Sequence, residues 1–209
     1  GCGKIGFLRR TSNSTIAPTH FHAILKNKNF SLQAVCDKNR KILKNISETY
    51  KIKTYEKYSD FLKNHKFDII VVATNTDSHY QILREIIKYK PKIVFCEKPL
   101  TNKPSKAIEM INIFKKNKIK LMVNYSRRFL KEYLDLHKDI IQNKKIGQIK
   151  WVSVKYNRGF KNNCSHFIDL ITWFFGKPDK IKLLGKSKCN SFNNDHNIYL
   201  NLFFKNNLI

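Results

Sequence analysis

Short, almost wholly apolar runs alternate with segments of helical periodicity as far as about residue 124, and this alternation restricts the fold more than any other feature. The runs are Ser31–Cys36 (SLQAVC), Phe67–Ala73 (FDIIVVA), Lys92–Leu100 (KIVFCEKPL) and Lys120–Val123 (KLMV). Between them, Lys41–Tyr50 places Ile42, Leu43 and Ile46 on one face, and His79–Lys88 does the same with Ile82, Leu83, Ile86 and Ile87. A third helix, announced by Thr101, Asn102 and Pro104, carries Ala107, Met110, Ile111 and Phe114. Uninterrupted apolar strands separated by amphipathic helices predict a parallel sheet covered on both faces. In such sheets ligands bind beyond the carboxyl ends of the strands. The polar residues that end the runs, Asp37, Thr74 to His79 and Glu97-Lys98-Pro99, are therefore expected around a crevice. His79 reads as a packing or capping residue at a helix start.

The chain opens on Gly1-Cys2-Gly3-Lys4-Ile5-Gly6. A G-x-G-x-x-G of this kind turns tightly at the first glycine, lets a pyrophosphate approach the backbone at the second and packs a helix closely at the third. The strand expected before it is absent, so the chain reads as a fragment of a longer parent. Phe7–Pro18 looks like an insertion in the first crossover, followed by a helix over Thr19–Lys26 with Phe21, Ile24 and Leu25 as its apolar face. Asp37, at the end of the next strand, stands where a dinucleotide fold binds the adenosine ribose. Lys38 and Arg40 follow it and could hold a 2′-phosphate, so NAD is favoured and NADP stays open.

Beyond residue 124 the pattern changes. Asn124 to Phe129 (NYSRRF) leads into a helix ending near Asn143, and Gln148–Tyr156 alternates as a half-buried strand should. A polar loop precedes an apolar helix over about Ser165–Phe175, stopped by Gly176 and Pro178. Lys180–Leu184 and Asn197–Phe204 read as strands of an antiparallel sheet. The expected fold is α/β: a Rossmann-type doubly wound parallel sheet over residues 1–123, then an incomplete α+β domain with a mainly antiparallel, open-faced sheet over 124–209.

Composition narrows the function. Forty-one Lys and Arg against fifteen Asp and Glu give a net charge of +26, but the lysines are scattered among Asn and Ile in nearly every segment. With no arginine-aromatic stripe or basic tail, a nucleic-acid partner is not expected, although a positive field favours anionic ligands. Five widely spaced cysteines without a C-x-x-C pair suggest reduced thiols in a cytoplasmic protein. Neither a signal peptide nor a membrane-spanning run is visible. Cys164, His166 and Asp169 lack a fourth ligand at sensible spacing, so no metal is expected.

Taken in order, GCGKIG, the CD closing the second strand, ATNTDSH, CEKPL, NYSRRF and NNCSHFIDLITWFFG resemble the Gfo/Idh/MocA oxidoreductases from Gly1 to about Gly176. The resemblance implies a cofactor site at Gly1, Gly3, Lys4, Ile5, Gly6, Asp37, Thr74, Asn75, Glu97 and Lys98. It also implies a sugar or nucleotide-sugar substrate held by Lys98, Asn124, Arg127, Arg128 and His166, in a parent that is a homo-oligomer. Thr19-His20 in the long first crossover resembles members that make surface-polysaccharide sugars. Lys98 matches the lysine of the family's EKP motif and His166 the general acid/base of its D-x-x-x-H motif. The aspartate of that motif is Asn162 here, and the usual glycine two before the histidine is Cys164. The chemistry agrees: hydride loss from a carbinol carbon leaves an oxygen that needs a hydrogen-bond donor and a base, and histidine titrates near neutrality. Asp169 either orients His166 or makes a simple helix contact, and Arg127 and Arg128 are placed to clamp a carboxylate or phosphate. Asn162 also motivates a second reading, a non-catalytic dinucleotide-binding sensor.

Overall fold

The structure, a computed structural model, describes residues 1–8, 19–190 and 195–205. The insertion expected over Phe7–Pro18 therefore lies largely outside the described residues. The chain divides into two units, Gly1–Asn124 and Tyr125–Ile209.

In the first unit, β1 (Ala34–Cys36) pairs in parallel with β2 (Lys53–Tyr55), while β3 (Ile69–Val72), β4 (Ile93–Cys96) and β5 (Lys120–Val123) form a parallel sheet in that order. Gly1 and Cys2 lie between the two ladders. The backbone of Gly1 packs so closely on Ala73 that an added Cβ would stand 2.6 Å from its carbonyl oxygen, and Cys2 N–H bonds the Asp37 carboxylate at 2.5 Å. The helices are α1 (His20–Lys26), α2 (Arg40–Tyr50), α3 (Tyr58–Lys63), α4 (Thr76–Ile87) and α5 (Pro104–Lys116).

The apolar runs form the core as expected, but the two sheet faces are not equally covered. Ile70, Val72, Val94 and Cys96 are buried and join Leu83 and Ile86 of α4 and Met110 and Phe114 of α5. Val71 and Phe95, on the other face, are half-buried. A second cluster gathers Cys2, Phe21, Val35, Leu43 and Ile46. Burial of aliphatic side chains of this size contributes about 1.5–3 kcal/mol each.

Three details depart from the sequence reading. The strand expected from Ser31 begins only at Ala34, and Leu25, assigned to the apolar face of α1, is exposed. β2 and α3 were not anticipated. Lys53-Thr54-Tyr55 has no apolar run to announce it, and six residues are too few for a helical period to stand out.

In the second unit, a 3-10 turn (Ser126–Phe129) leads into α6 (Lys131–His137), which continues as a π-helical turn over Lys138–Gln142. Another π-helical turn, Phe160–Cys164, occupies most of the expected polar loop and runs directly into α7 (Ser165–Phe175). β6 (Lys180–Lys188) and β7 (His196–Phe203) pair antiparallel, with an irregularity between Leu183 and Gly185. Exposed Ile181, Leu183, Leu184 and Tyr199 leave this sheet open-faced. Gln148–Tyr156 is not a strand. Its alternation is real, but a strand needs a backbone ladder; among the described residues the segment is bonded to β7 through the Tyr156 side chain, whose hydroxyl donates to Ile198 O and accepts from Ile198 N. Among the described residues no helix is long and apolar enough to cross a membrane.

Candidate cofactor and catalytic site

The register of the three-stranded sheet sets the crevice. Val72 lies opposite Cys96, and Cys96 opposite Val123, so the residues that follow leave the sheet at one level. The ladder extends one step further: Glu97 N–H bonds Val72 O at 2.9 Å and Asn124 N–H bonds Cys96 O at 2.8 Å. Glu97 and Asn124 thereby meet, with Asn124 Nδ2 donating to Glu97 Oε1 at 2.7 Å. His20 Nε2 lies 2.7 Å from the same oxygen. Burial pushes the Glu97 carboxyl up, but the His20 and Asn124 hydrogen bonds and the backbone N–H of Lys98 hold it below its ordinary value. Half-buried Lys98 follows at the head of the loop.

Behind this loop stands His79, fully buried. Its Nε2 lies 3.0 Å from Thr74 O, and its Nδ1 lies 3.1 and 3.3 Å from the carbonyls of Pro99 and Leu100. It joins the loop after β3 to the loop after β4, which gives the packing role a specific form. Asn75 occupies the N-cap position of α4 without a side-chain capping bond, while Ser78 Oγ reaches Asn75 O at 2.7 Å and Thr74 Oγ1 at 2.8 Å.

At the other side of the unit, the glycine loop closes on Asp37. Besides Cys2 N–H, the carboxylate accepts Asn39 N–H at 2.8 Å on its other oxygen. Each oxygen still has a lone pair for a ribose hydroxyl. Lys4–Leu8 forms a five-residue π-helical turn in which Phe7 and Leu8 both donate to Gly3 O. Gly6 is sterically obligatory, because an added Cβ would lie 2.0 Å from Gly1 O. Gly3 is not, since among the described residues, its chain neighbours aside, nothing lies within 4 Å of an added Cβ. A glycine that the fold does not itself require, beside a carboxylate with vacant lone pairs, fits the approach of a pyrophosphate and ribose. Arg40 pairs with Glu56 at 2.9 Å on the surface.

Burial raises the Cys2 thiol to about 11 and Cys96 to about 12.

In the second unit, His166 lies in the first turn of α7, its ring edge-on to Tyr125 at 5.9 Å. Asn162 and Lys161 give their backbone N–H groups to the buried carboxylate of Asp195, at 2.9 and 3.1 Å. Sequence reading passed over Asp195, which no local motif connects to residues 33 or 34 positions earlier. Asn162 Nδ2 donates to Arg158 O at 3.2 Å. Asp169 takes a two-pronged ion pair from Arg128, at 2.6 Å from both Nε and Nη2. The Arg128 fork is thus engaged by Asp169 within the second unit. Arg127 donates to Asn163 Oδ1 at 3.1 Å and its guanidinium lies 4.2 Å from the Phe167 ring centroid, with no carboxylate partner among the described residues. No group of three or more His, Cys, Asp or Glu that could hold a metal occurs among the described residues.

Residues 13–125 match the family model for Gfo/Idh/MocA, described as an oxidoreductase family with an NAD-binding Rossmann fold. The chain belongs to this family. The inositol 2-dehydrogenase/D-chiro-inositol 3-dehydrogenase of Lactiplantibacillus plantarum is 31% identical over 131 residues, 60% of this chain and 37% of that protein. Among solved structures, an Agrobacterium radiobacter oxidoreductase in complex with NAD+, L-tartaric acid and magnesium superposes with a TM-score of 0.77 at 20% identity, covering 90% of this chain and 59% of that one. The WlbA dehydrogenase of Bordetella pertussis, in complex with NADH and UDP-GlcNAcA, gives 0.70 at 22%, covering 78% and 56%. At these identities the structural likeness is one of fold. The chain thus spans from about a third to somewhat over half the length of these relatives.

Proposed function

We propose that the unit of residues 1–124 binds NAD(H), and that the whole protein transfers a hydride between nicotinamide and a hydroxyl carbon of a sugar or nucleotide sugar bound by the unit beginning at residue 125. The observation that carries the reading is the glycine loop: Gly3 is open where the fold itself requires no glycine, and Cys2 of the same loop fixes the Asp37 carboxylate. Gly1, Gly3 and Gly6, with the backbone of Lys4 and Ile5, would hold the pyrophosphate. Asp37 would accept the adenosine ribose hydroxyls and disfavour a 2′-phosphate, and Thr74, Asn75 and Glu97 would line the nicotinamide side. Bound nicotinamide supplies the hydride acceptor or donor.

In this reading Lys98 donates a hydrogen bond from Nζ to the reacting hydroxyl oxygen and stabilises it as its proton leaves. His166 takes that proton in oxidation and returns it in reduction, a contribution of about 10²–10⁴-fold for a positioned acid/base. Asn162 is an amide and carries no charge of its own for a relay. Arg127, oriented by Asn163 and Phe167 and without a carboxylate partner among the described residues, suits an anionic group on the substrate. The inositol dehydrogenase relative and the UDP-GlcNAcA in the WlbA complex mark the two substrate classes to test.

NADH fluorescence titration of the chain, followed by turnover with inositols and UDP-sugars, tests the reading. Lys98→Ala and His166→Ala should abolish turnover and retain NADH binding. Retained turnover in both sinks the mechanism; NADH binding without turnover across the panel favours the sensor reading, which rests on Asn162.

A further inference from the structure

We infer that His20 is a positioning residue for Lys98, acting through the carboxylate of Glu97; its catalytic relevance rests on the reading of Lys98 given above. Glu97 ties together three parts of the unit. Its Oε1 lies 2.7 Å from both His20 Nε2 and Asn124 Nδ2, and the carboxylate also accepts the backbone N–H of Lys98. Helix α1, the end of β5 and the first residue of the Lys98 loop therefore converge on one side chain.

The arrangement is enclosed on the histidine side. The His20 and Glu97 side chains are 17% and 15% exposed, and the His20 ring lies edge-on to Phe95 of β4 at 5.5 Å. Buried Thr19 caps α1, accepting His22 N–H at 3.4 Å, and so fixes the turn from which His20 projects. Histidine at this position is thus held by its helix and by packing, independently of the carboxylate it meets.

A carboxylate so far withdrawn from water stays in place only while its lone pairs are engaged. Asn124 alone leaves a neutral donor against a desolvated charge. Without the His20 N–H the carboxylate turns toward solvent and releases the amide of Lys98, which loosens the head of the loop while β4 remains paired. The side chain that sets the lysine in place thus lies 77 residues before Glu97 in sequence. It belongs to the crossover helix rather than to the motif itself.

The test compares the 209-residue chain with His20→Phe, which keeps a ring against Phe95 but has no donor, and His20→Gln, which restores an N–H. Amide hydrogen exchange at Lys98 should accelerate about tenfold or more in His20→Phe, the change expected for loss of one charge-assisted bond, and stay close to wild type in His20→Gln. Exchange at Val94 and Cys96 should not change. Unchanged exchange at Lys98 in His20→Phe, equal acceleration in both variants, or acceleration spread through β4 would each overturn the proposal. In turnover, His20→Phe should lower kcat at unchanged KM for NAD(H), with recovery in His20→Gln. If no variant, nor the wild type, turns over substrate while the exchange pattern holds, it is the dehydrogenase reading that fails and not the positioning of Lys98.

Discussion

Cys2 donates its backbone N–H to Asp37 across 2.5 Å, so the glycine loop and the acid after β1 are tied together. Replacing Asp37 by Ala should lower NADH affinity about tenfold or more, since hydrogen bonds to a charged group are worth roughly 1.5–3 kcal/mol. It should also narrow the preference for NADH over NADPH. Fluorescence titration with both cofactors checks this, and an unchanged ratio would count against Asp37 as the ribose acid.

His79 is fully buried between Thr74, Pro99 and Leu100. His79→Leu fills similar space but removes the ring N–H that serves one side of this bridge, at about 1–3 kcal/mol for a carbonyl left unsatisfied. We expect a loss in that range in urea unfolding, with unchanged m. A loss below about 0.5 kcal/mol would mean that the bridge between the two loops is dispensable.

The lowered carboxyl of Glu97 has a defined pH signature. Burial works against its ionised form, while His20 and Asn124 outweigh that effect. A carboxyl depressed by folding contributes stability that is complete above its unfolded value, about 4.3, and disappears as pH falls through the lower folded value. The melting-temperature gap between wild type and Glu97→Gln should therefore shrink as pH falls from about 5 through the lower folded value. A gap that widens in acid would contradict the assignment.

The two adjacent arginines should behave differently. Arg128, paired with Asp169 whose side chain is 11% exposed, should show a double-mutant coupling of about 1–2 kcal/mol with Asp169, discounted for its own partial exposure. Arg127→Ala should leave unfolding within about 0.5 kcal/mol and instead weaken binding of UDP-sugars relative to inositols. Equal effects on stability would remove the distinction.

Thiol chemistry supplies a further check. With the thiol raised to about 11, Cys2 is ionised to only about one part in a thousand at pH 8, and Cys96 still less. Both should react with a disulfide reagent only on unfolding, which mass mapping of labelled peptides would reveal.

The parallel sheet was legible because apolar residues in a buried strand announce themselves, and Ile69–Val72 and Ile93–Cys96 need little context. α7 was legible to the residue because Ser165–Phe175 is apolar and closed by Gly176. β2 was hidden because its polar residues form a strand only beside β1, and Gln148–Tyr156 misled in the opposite sense, having the alternation without a partner. At the site, the glycines, Asp37 and the Glu97-Lys98 pair stood out as motifs. Asp195 and His20 act across 33 and 77 residues respectively, and only the folded chain brings them to Asn162 and Glu97. The Arg128–Asp169 pair, 41 residues apart, likewise had no local cue.

The register that aligns Val72, Cys96 and Val123 has a consequence for how this chain tolerates change. Side chains alternate along a strand, so inserting or deleting one residue within Ile93–Cys96 would turn Glu97 to the opposite face, away from Asn124 and His20, with every motif residue still present in the sequence. Substitutions in this strand alter packing by degrees; a change of length there reverses its phase. Natural length variation should therefore gather in the connections between elements, while the four residues of β4 keep a fixed count.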